Sequence, residues 1–222
     1  MAARGARYAG TKIVAVAKNY AAHKVEMGGT PERLAAPAFF LKPSSSVIGP
    51  GQAIVKPAGV AEVHHEVELG VVIGARCRAA PAADWARYVG GYVLALDMTA
   101  RDLQAKAKAA GMPWTQAKCY DTFTPMSDVL PAAAVGDPHE LELYLTVDGA
   151  PRQRGRTSGM LHRIPELLQA ISAVMTLEPG DVILTGTPEG VGPAPVGCTV
   201  VAGITGLVEV AFPVVDGAAR SS

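Results

Sequence analysis

No stretch of this 222-residue chain approaches the roughly 20 consecutive apolar residues of a membrane-spanning helix, so no membrane role is expected. Aromatic residues are scarce, at 5%, which leaves little with which to stack the bases of single-stranded nucleic acid. Charge of one sign is lacking too: 20 basic side chains balance 20 acidic ones, which argues against a nucleic-acid partner. Only three cysteines are present, Cys77, Cys119 and Cys198, far apart and without CxxC spacing. They read as reduced thiols packed as small hydrophobes, as in a cytoplasmic protein. The apolar run Ile13 to Ala17 is too short for a secretory signal and Lys18 interrupts it, so an untargeted chain is expected.

What the chain does have is 24 glycines and 17 prolines interleaved with Val, Ile and Leu throughout, the mark of an ordered globule. A domain of this size buries roughly 70–75% of its unfolded surface and needs no disulfide. With no linker-like stretch and no repeat, one catalytic-sized domain over 11–215 is expected, with loose tails at 1–10 and 216–222.

Short branched-residue runs bounded by Gly, Pro or Asp predict strands at 12–17, 38–42, 62–74, 88–99, 140–149, 181–186, 198–204 and 206–215. In ELELYLTVDG, Leu141, Leu143, Leu145 and Val147 share a face before a DG turn. Helical patterns are fewer: 19–27, 82–88, 99–110 and 164–175, the third opening on a capping-box-like Thr99 and Asp102. Many strands, few helices and no βαβ alternation predict an α+β, mainly β fold.

Three carboxylates stand out. In HHEVELGVVIG the period of two places His64, Glu66, Glu68 and Gly70 on one face. Glutamates at i and i+2 lie roughly 6.5–7 Å apart along a strand, near enough to share one cation. Asp97 ends the apolar run YVLALD, where an unpaired aspartate is costly. Hard oxygen donors favour Mg²⁺, with Mn²⁺ or Ca²⁺ as substitutes, over zinc. On spacing alone the alternative stays open: Glu66 and Glu68 on a solvated face, Asp97 capping a helix. His23 and Glu26, at i and i+3 on the first helix, meet on one face. TGTPEGVG (185–192) lacks the GK[ST] ending of a nucleotide loop and suits a carboxylate-facing turn better.

The segments KNYAAHKVEM, FFLKPSSSV, HHEVELGVVIG, LALDMTARDLQ, PWTQAKCYDTFTP and ILTGTPEGVGP, in this order, resemble the fumarylacetoacetate hydrolase family, in particular its short acylpyruvase and oxaloacetate decarboxylase branch. The resemblance implies a mixed β-roll around a divalent-metal site, usually in a homodimer. It puts the metal carboxylates on Glu66, Glu68 and Asp97 and the active-site lysine on Lys118. The water-activating pair falls on His23 and Glu26, and the substrate-pocket residues on Arg101, Gln104 and Thr187. It implies a Mg²⁺-dependent hydrolase cleaving a carbon–carbon bond of acylpyruvates such as acetylpyruvate or fumarylpyruvate, with oxaloacetate decarboxylation as a second activity. The alternatives are an isomerase or decarboxylase of a hydroxy-diene dioate, an oxaloacetate tautomerase, or a non-catalytic metal-binding module.

Overall fold

The computed structural model describes residues 9–217 other than Met27 and Gly29. Of the tails expected at 1–10 and 216–222, residues 1–8 and 218–222 fall outside the described residues, and Asp216 closes the last strand.

The fold is mainly β with a few short helices. A six-stranded mixed sheet runs in the order Leu130–Pro131, Val89–Leu96, Val67–Ile73, Val182–Leu184, Ile13–Ala17, Ala38–Lys42. Its one parallel pair joins Ile13–Ala17 to Val182–Leu184. A five-stranded sheet runs Ala150–Arg156, Glu142–Val147, Thr199–Ile204, Val208–Asp216, Ile54–Lys56. The two sheets share a core. Val67, Leu69, Val71, Leu94 and Leu96 from the first pack in one cluster with Leu143, Leu145, Val200, Ala202 and Phe212 from the second. Each fully buried aliphatic side chain there contributes about 1.5–3 kcal/mol.

Alternation then assigns the other face of the large sheet. Ile13, Ala15, Val93, Ala95, Val182 and Leu184 form a separate cluster there, and the period of two sends Glu68 and Gly70 to the same side. Gly70 is required at that spot, because a Cβ would lie 2.5 Å from Val93 Cγ2.

Two expectations are corrected. Residues 62–74 form two strands, Val63–His65 and Val67–Ile73, with Glu66 between them. The third helix runs Arg101–Ala109, and its N-cap is Ala100, with no side-chain cap. Thr99 instead forms a short strand with Ala100, and its hydroxyl donates to Glu66 Oε1 and the Asp97 carbonyl. Burial beside an acidic residue outcompetes the local capping bond. The strand Ala150–Arg156 was not legible, because APRQRGR is polar at most positions.

Asp181 ties the N-terminal segment down. Its fully buried carboxylate accepts from the backbone N–H groups of Thr11, Lys12 and Glu178, from the Thr11 hydroxyl, and from the Lys12 ammonium. Burial pushes the carboxyl up, but the Glu178 N–H, Lys12 and Thr11 outweigh it and hold the group below its ordinary value of 3.8. A lowered folded value means that this stabilisation is present above the ordinary value and disappears as pH falls through the folded one. Asp181→Asn is therefore expected to cost about 2–4 kcal/mol at neutral pH. Thermal melts should show the gap from wild type closing in acid; a pH-independent gap would contradict the assignment.

Candidate active site

Register explains how the carboxylates meet. Val67 pairs with Leu96 and His64 with Thr99, both antiparallel. Continuing that register across the interruption sets Glu66 opposite Asp97, whose N–H donates to the Glu66 carbonyl at 2.9 Å. Like charges directly opposite on neighbouring strands are destabilising, so this break in the ladder is a place for a cation. Glu68, two residues along, points to the same place. One oxygen from each of Glu66, Glu68 and Asp97 lies within 4.8 Å of the other two, and all three residues are buried. Buried, hard-oxygen and mutually close, the donors fit a divalent cation.

The surrounding charges are arranged around this trio. Lys118, from the short helix Thr115–Lys118, donates to Glu66 Oε2 at 2.8 Å and Asp97 Oδ2 at 2.6 Å. Arg101 Nη2 donates to Glu66 Oε1 at 2.8 Å, and Arg101 Nη1 to Gln104 Oε1 at 2.6 Å. Arg101 Nε is buried with no partner among the described residues. Glu68 accepts from the Gly186 N–H at 2.6 Å. Gly186 has φ +96°, and a Cβ there would sit 2.8 Å from Asn19 Cβ, so the turn of the TGTP loop demands glycine.

Protonation follows. Burial alone would raise Glu66, but Lys118 and Arg101 hold it well below the usual carboxylate range. Burial, with Asp97 and Glu66 adjacent, pushes Glu68 well above that range. Burial opposes the Lys118 charge, yet Asp97 and Glu66 raise its pKa above the ordinary lysine value. A site that strains to hold three ionised carboxylates is one that gains by taking up a divalent cation.

His23 and Glu26 lie on the helix Ala21–Glu26, with His23 Nδ1 3.1 Å from Glu26 Oε2. His23 is buried and lines the same pocket as the carboxylates, together with Phe40, Arg101, Gln104, Trp114, Lys118 and Thr187. Glu26 also accepts from the Gly190 N–H at 3.0 Å, which joins this helix to the glycine-rich loop. All nine residues singled out in the sequence thus fall at one site. Thr187 is the exception in orientation: its hydroxyl donates to the Val67 carbonyl and accepts from Gln153, so its donor is used within the protein. His64 and His65 stand apart from the trio, bonded to Glu62 and Gln153.

Two residues at the site went unread. Lys42 is fully buried at the end of the strand Ala38–Lys42 and donates to Asp97 Oδ1 at 2.5 Å. Burial lowers its pKa, against the pull of Asp97. Asp97 therefore lies between two lysines. The signal was a lysine closing an apolar strand, AFFLK, in step with Phe40. Gln153, 2% exposed, accepts from His65 and the Val67 N–H and donates to Thr187 and the Pro188 carbonyl. It clamps the TGTP loop to the carboxylate strand.

Residues 12–215 match the family described as fumarylacetoacetate (FAA) hydrolase C-terminal, and the chain belongs to that family of enzymes. It is 56% identical to the oxaloacetate tautomerase FAHD1, mitochondrial, of Arabidopsis thaliana, over 92% of this chain and 91% of that protein. Among solved structures it is similar to a 5-carboxymethyl-2-hydroxymuconate delta-isomerase from Mycobacterium smegmatis. There the identity is 47% and the TM-score 0.82, over 93% of this chain and 79% of that one. A fumarylpyruvate hydrolase from Pseudomonas aeruginosa, solved with Mn²⁺ and pyruvate, is 37% identical, with TM-score 0.87, over 92% and 93%. Three reactions are represented on one scaffold, so the reaction must be argued from the site.

Proposed function

We propose that this protein is a Mg²⁺- or Mn²⁺-dependent enzyme that interconverts the keto and enol forms of a small 2-oxo acid, oxaloacetate first among them. The observation that carries this reading is the convergence of Glu66, Glu68 and Asp97 within 4.8 Å beside Lys118. Its support for oxaloacetate comes from the tautomerase 56% identical to this chain. Acylpyruvate cleavage, which the sequence put first, is the second reading, favoured by the His23–Glu26 pair and the fumarylpyruvate hydrolase fold.

Glu66, Glu68 and Asp97 would hold a divalent cation, which would supply Lewis acidity toward a bound 2-oxo acid. Lys118 and Arg101 place positive charge where negative charge grows on the substrate. Glu26 takes the proton side of His23 Nδ1, which leaves Nε2 as the basic atom. In tautomerisation that atom accepts a proton from C3, and the proton returns to the oxygen. In hydrolysis it takes a proton from water, the hydroxyl adds to the distal carbonyl, the C–C bond breaks, and C3 receives the proton.

The enol signal of oxaloacetate, followed by ultraviolet absorbance, should decay faster with Mg²⁺ or Mn²⁺ and revert to the uncatalysed rate in EDTA. Full activity in EDTA would remove the metal from the reading. His23→Ala removes the base that both reactions use: enol decay and hydrolysis of acylpyruvates should each fall about 10²–10⁴-fold. An unchanged rate of pyruvate release would take the base role away from His23.

A further inference from the structure

The helix Arg101–Ala109 presents Arg101, Gln104 and Lys108 to the pocket at i, i+3 and i+7, one face of the helix. Arg101 and Lys108 lie about 10 Å apart along its axis, so Arg101 belongs to the floor and Lys108 to the mouth. Lys18, exposed just after the strand Ile13–Ala17, lines the same pocket. It has φ 55°, a left-handed conformation that a non-glycine residue adopts at a cost. The chain is held in that turn by Asn19, whose side chain bonds the Thr185 carbonyl and the His162 N–H and carbonyl. Strain fixed in place at a pocket mouth is a sign of use.

The charges at the floor and at the mouth differ in kind. On the floor Lys42, Lys118 and Arg101 all have carboxylate partners in the trio. Lys18 and Lys108 have no ion pair among the described residues, and both are exposed. Glu26, the acid bonded to His23, is engaged by that ring and by Gly190. Lys108 is steered by Trp114, its Nζ 5.4 Å from the ring centroid, and Trp114 is packed edge-on against Phe40. Partial burial, then Arg101 and Lys18, draw the Lys108 pKa below its ordinary value. Two cations that repel one another while lining one pocket gain when an anion settles between them.

We propose that Lys18 and Lys108 form a second carboxylate subsite at the pocket mouth, selecting dicarboxylic 2-oxo acids over monocarboxylic ones of the same length. This rests on the reading of the pocket as a 2-oxo acid site. One end of the ligand, the 2-oxo carboxylate, sits at the trio, and its far carboxylate lies between the two lysines.

Matched pairs test it: 2-oxoglutarate against 2-oxopentanoate, and oxaloacetate against 2-oxobutanoate, bound to the Mg²⁺-loaded protein in titration calorimetry. Within each pair a far carboxylate replaces a methyl group. The wild type is expected to favour the diacid by about tenfold or more in at least one pair. Raising the ionic strength should erode that ratio. In Lys18→Ala/Lys108→Ala the ratio should fall toward one, and in Lys18→Arg/Lys108→Arg it should persist. A diacid preference that survives in the alanine variant, or none in the wild type while the monoacids bind, overturns the subsite alone. If no 2-oxo acid binds the wild type, the 2-oxo acid reading fails, and the subsite fails with it.

Discussion

Asp97→Asn is expected to lower kcat/KM by at least about a thousandfold, some 4 kcal/mol of transition-state stabilisation. Asp97 gives one of the three converging oxygens, and an amide is a weaker ligand for a hard cation. The same change has a second consequence. Lys42 and Lys118 both bond the Asp97 carboxylate from buried positions, and an asparagine returns no charge to either. Leaving a buried cation unpaired costs about 3–5 kcal/mol, so the melting temperature should drop as well. The double variant Asp97→Asn/Lys42→Met removes the cation left without its carboxylate, since Lys118 keeps Glu66. It should regain much of the lost stability and none of the activity or Mg²⁺ affinity. Turnover restored together with stability would show that Asp97 acts only as a counter-ion.

Lys118→Met is expected to reduce turnover by about 10²–10³-fold while strengthening Mg²⁺ binding. The reason for opposite signs is that the Lys118 ammonium bonds Glu66 Oε2 and Asp97 Oδ2, oxygens of the group that a cation would use. Removing it ends that competition and leaves the carboxylates more negative. Without metal, the variant should be less stable by about 3–5 kcal/mol, because Glu66 and Asp97 then face each other with only Arg101 and Lys42 to offset them. With metal the gap should narrow, since a ligand at 100 times its Kd stabilises the folded state by about 2.7 kcal/mol. The rise in melting temperature on adding Mg²⁺ should thus be larger for Lys118→Met than for wild type. A smaller rise would place Lys118 in support of the metal ligands instead of in competition with them.

Glu66 and Glu68 were readable because their relation is local: two residues along an extended chain, their types visible in the sequence. Asp97 was readable from its cost, a charged group closing an apolar run. His23 and Glu26 were readable as a pair at helical spacing, although their place beside the carboxylates was not. Lys42 escaped because a strand-end lysine looks the same whether its ammonium meets water or an aspartate 55 residues away. Gln153 escaped because it lies in a strand of polar residues, and only the packing of that strand against the TGTP loop buries it. Thr99 was misread as a helix cap since its true acceptor, Glu66, is 33 residues distant.

Taken alone, the sequence determined the acid types, their alternation, the mainly β class and the helical pairing of His23 with Glu26, because each depends on neighbours within a few bonds of chain. The tertiary structure alone decided that Glu66 opposes Asp97, that two lysines enclose Asp97, and that Lys18 and Lys108 line the same pocket. Those relations depend on strand register and on the burial of charges far apart in the chain, where desolvation and Coulomb forces act through space, so no local pattern encodes them.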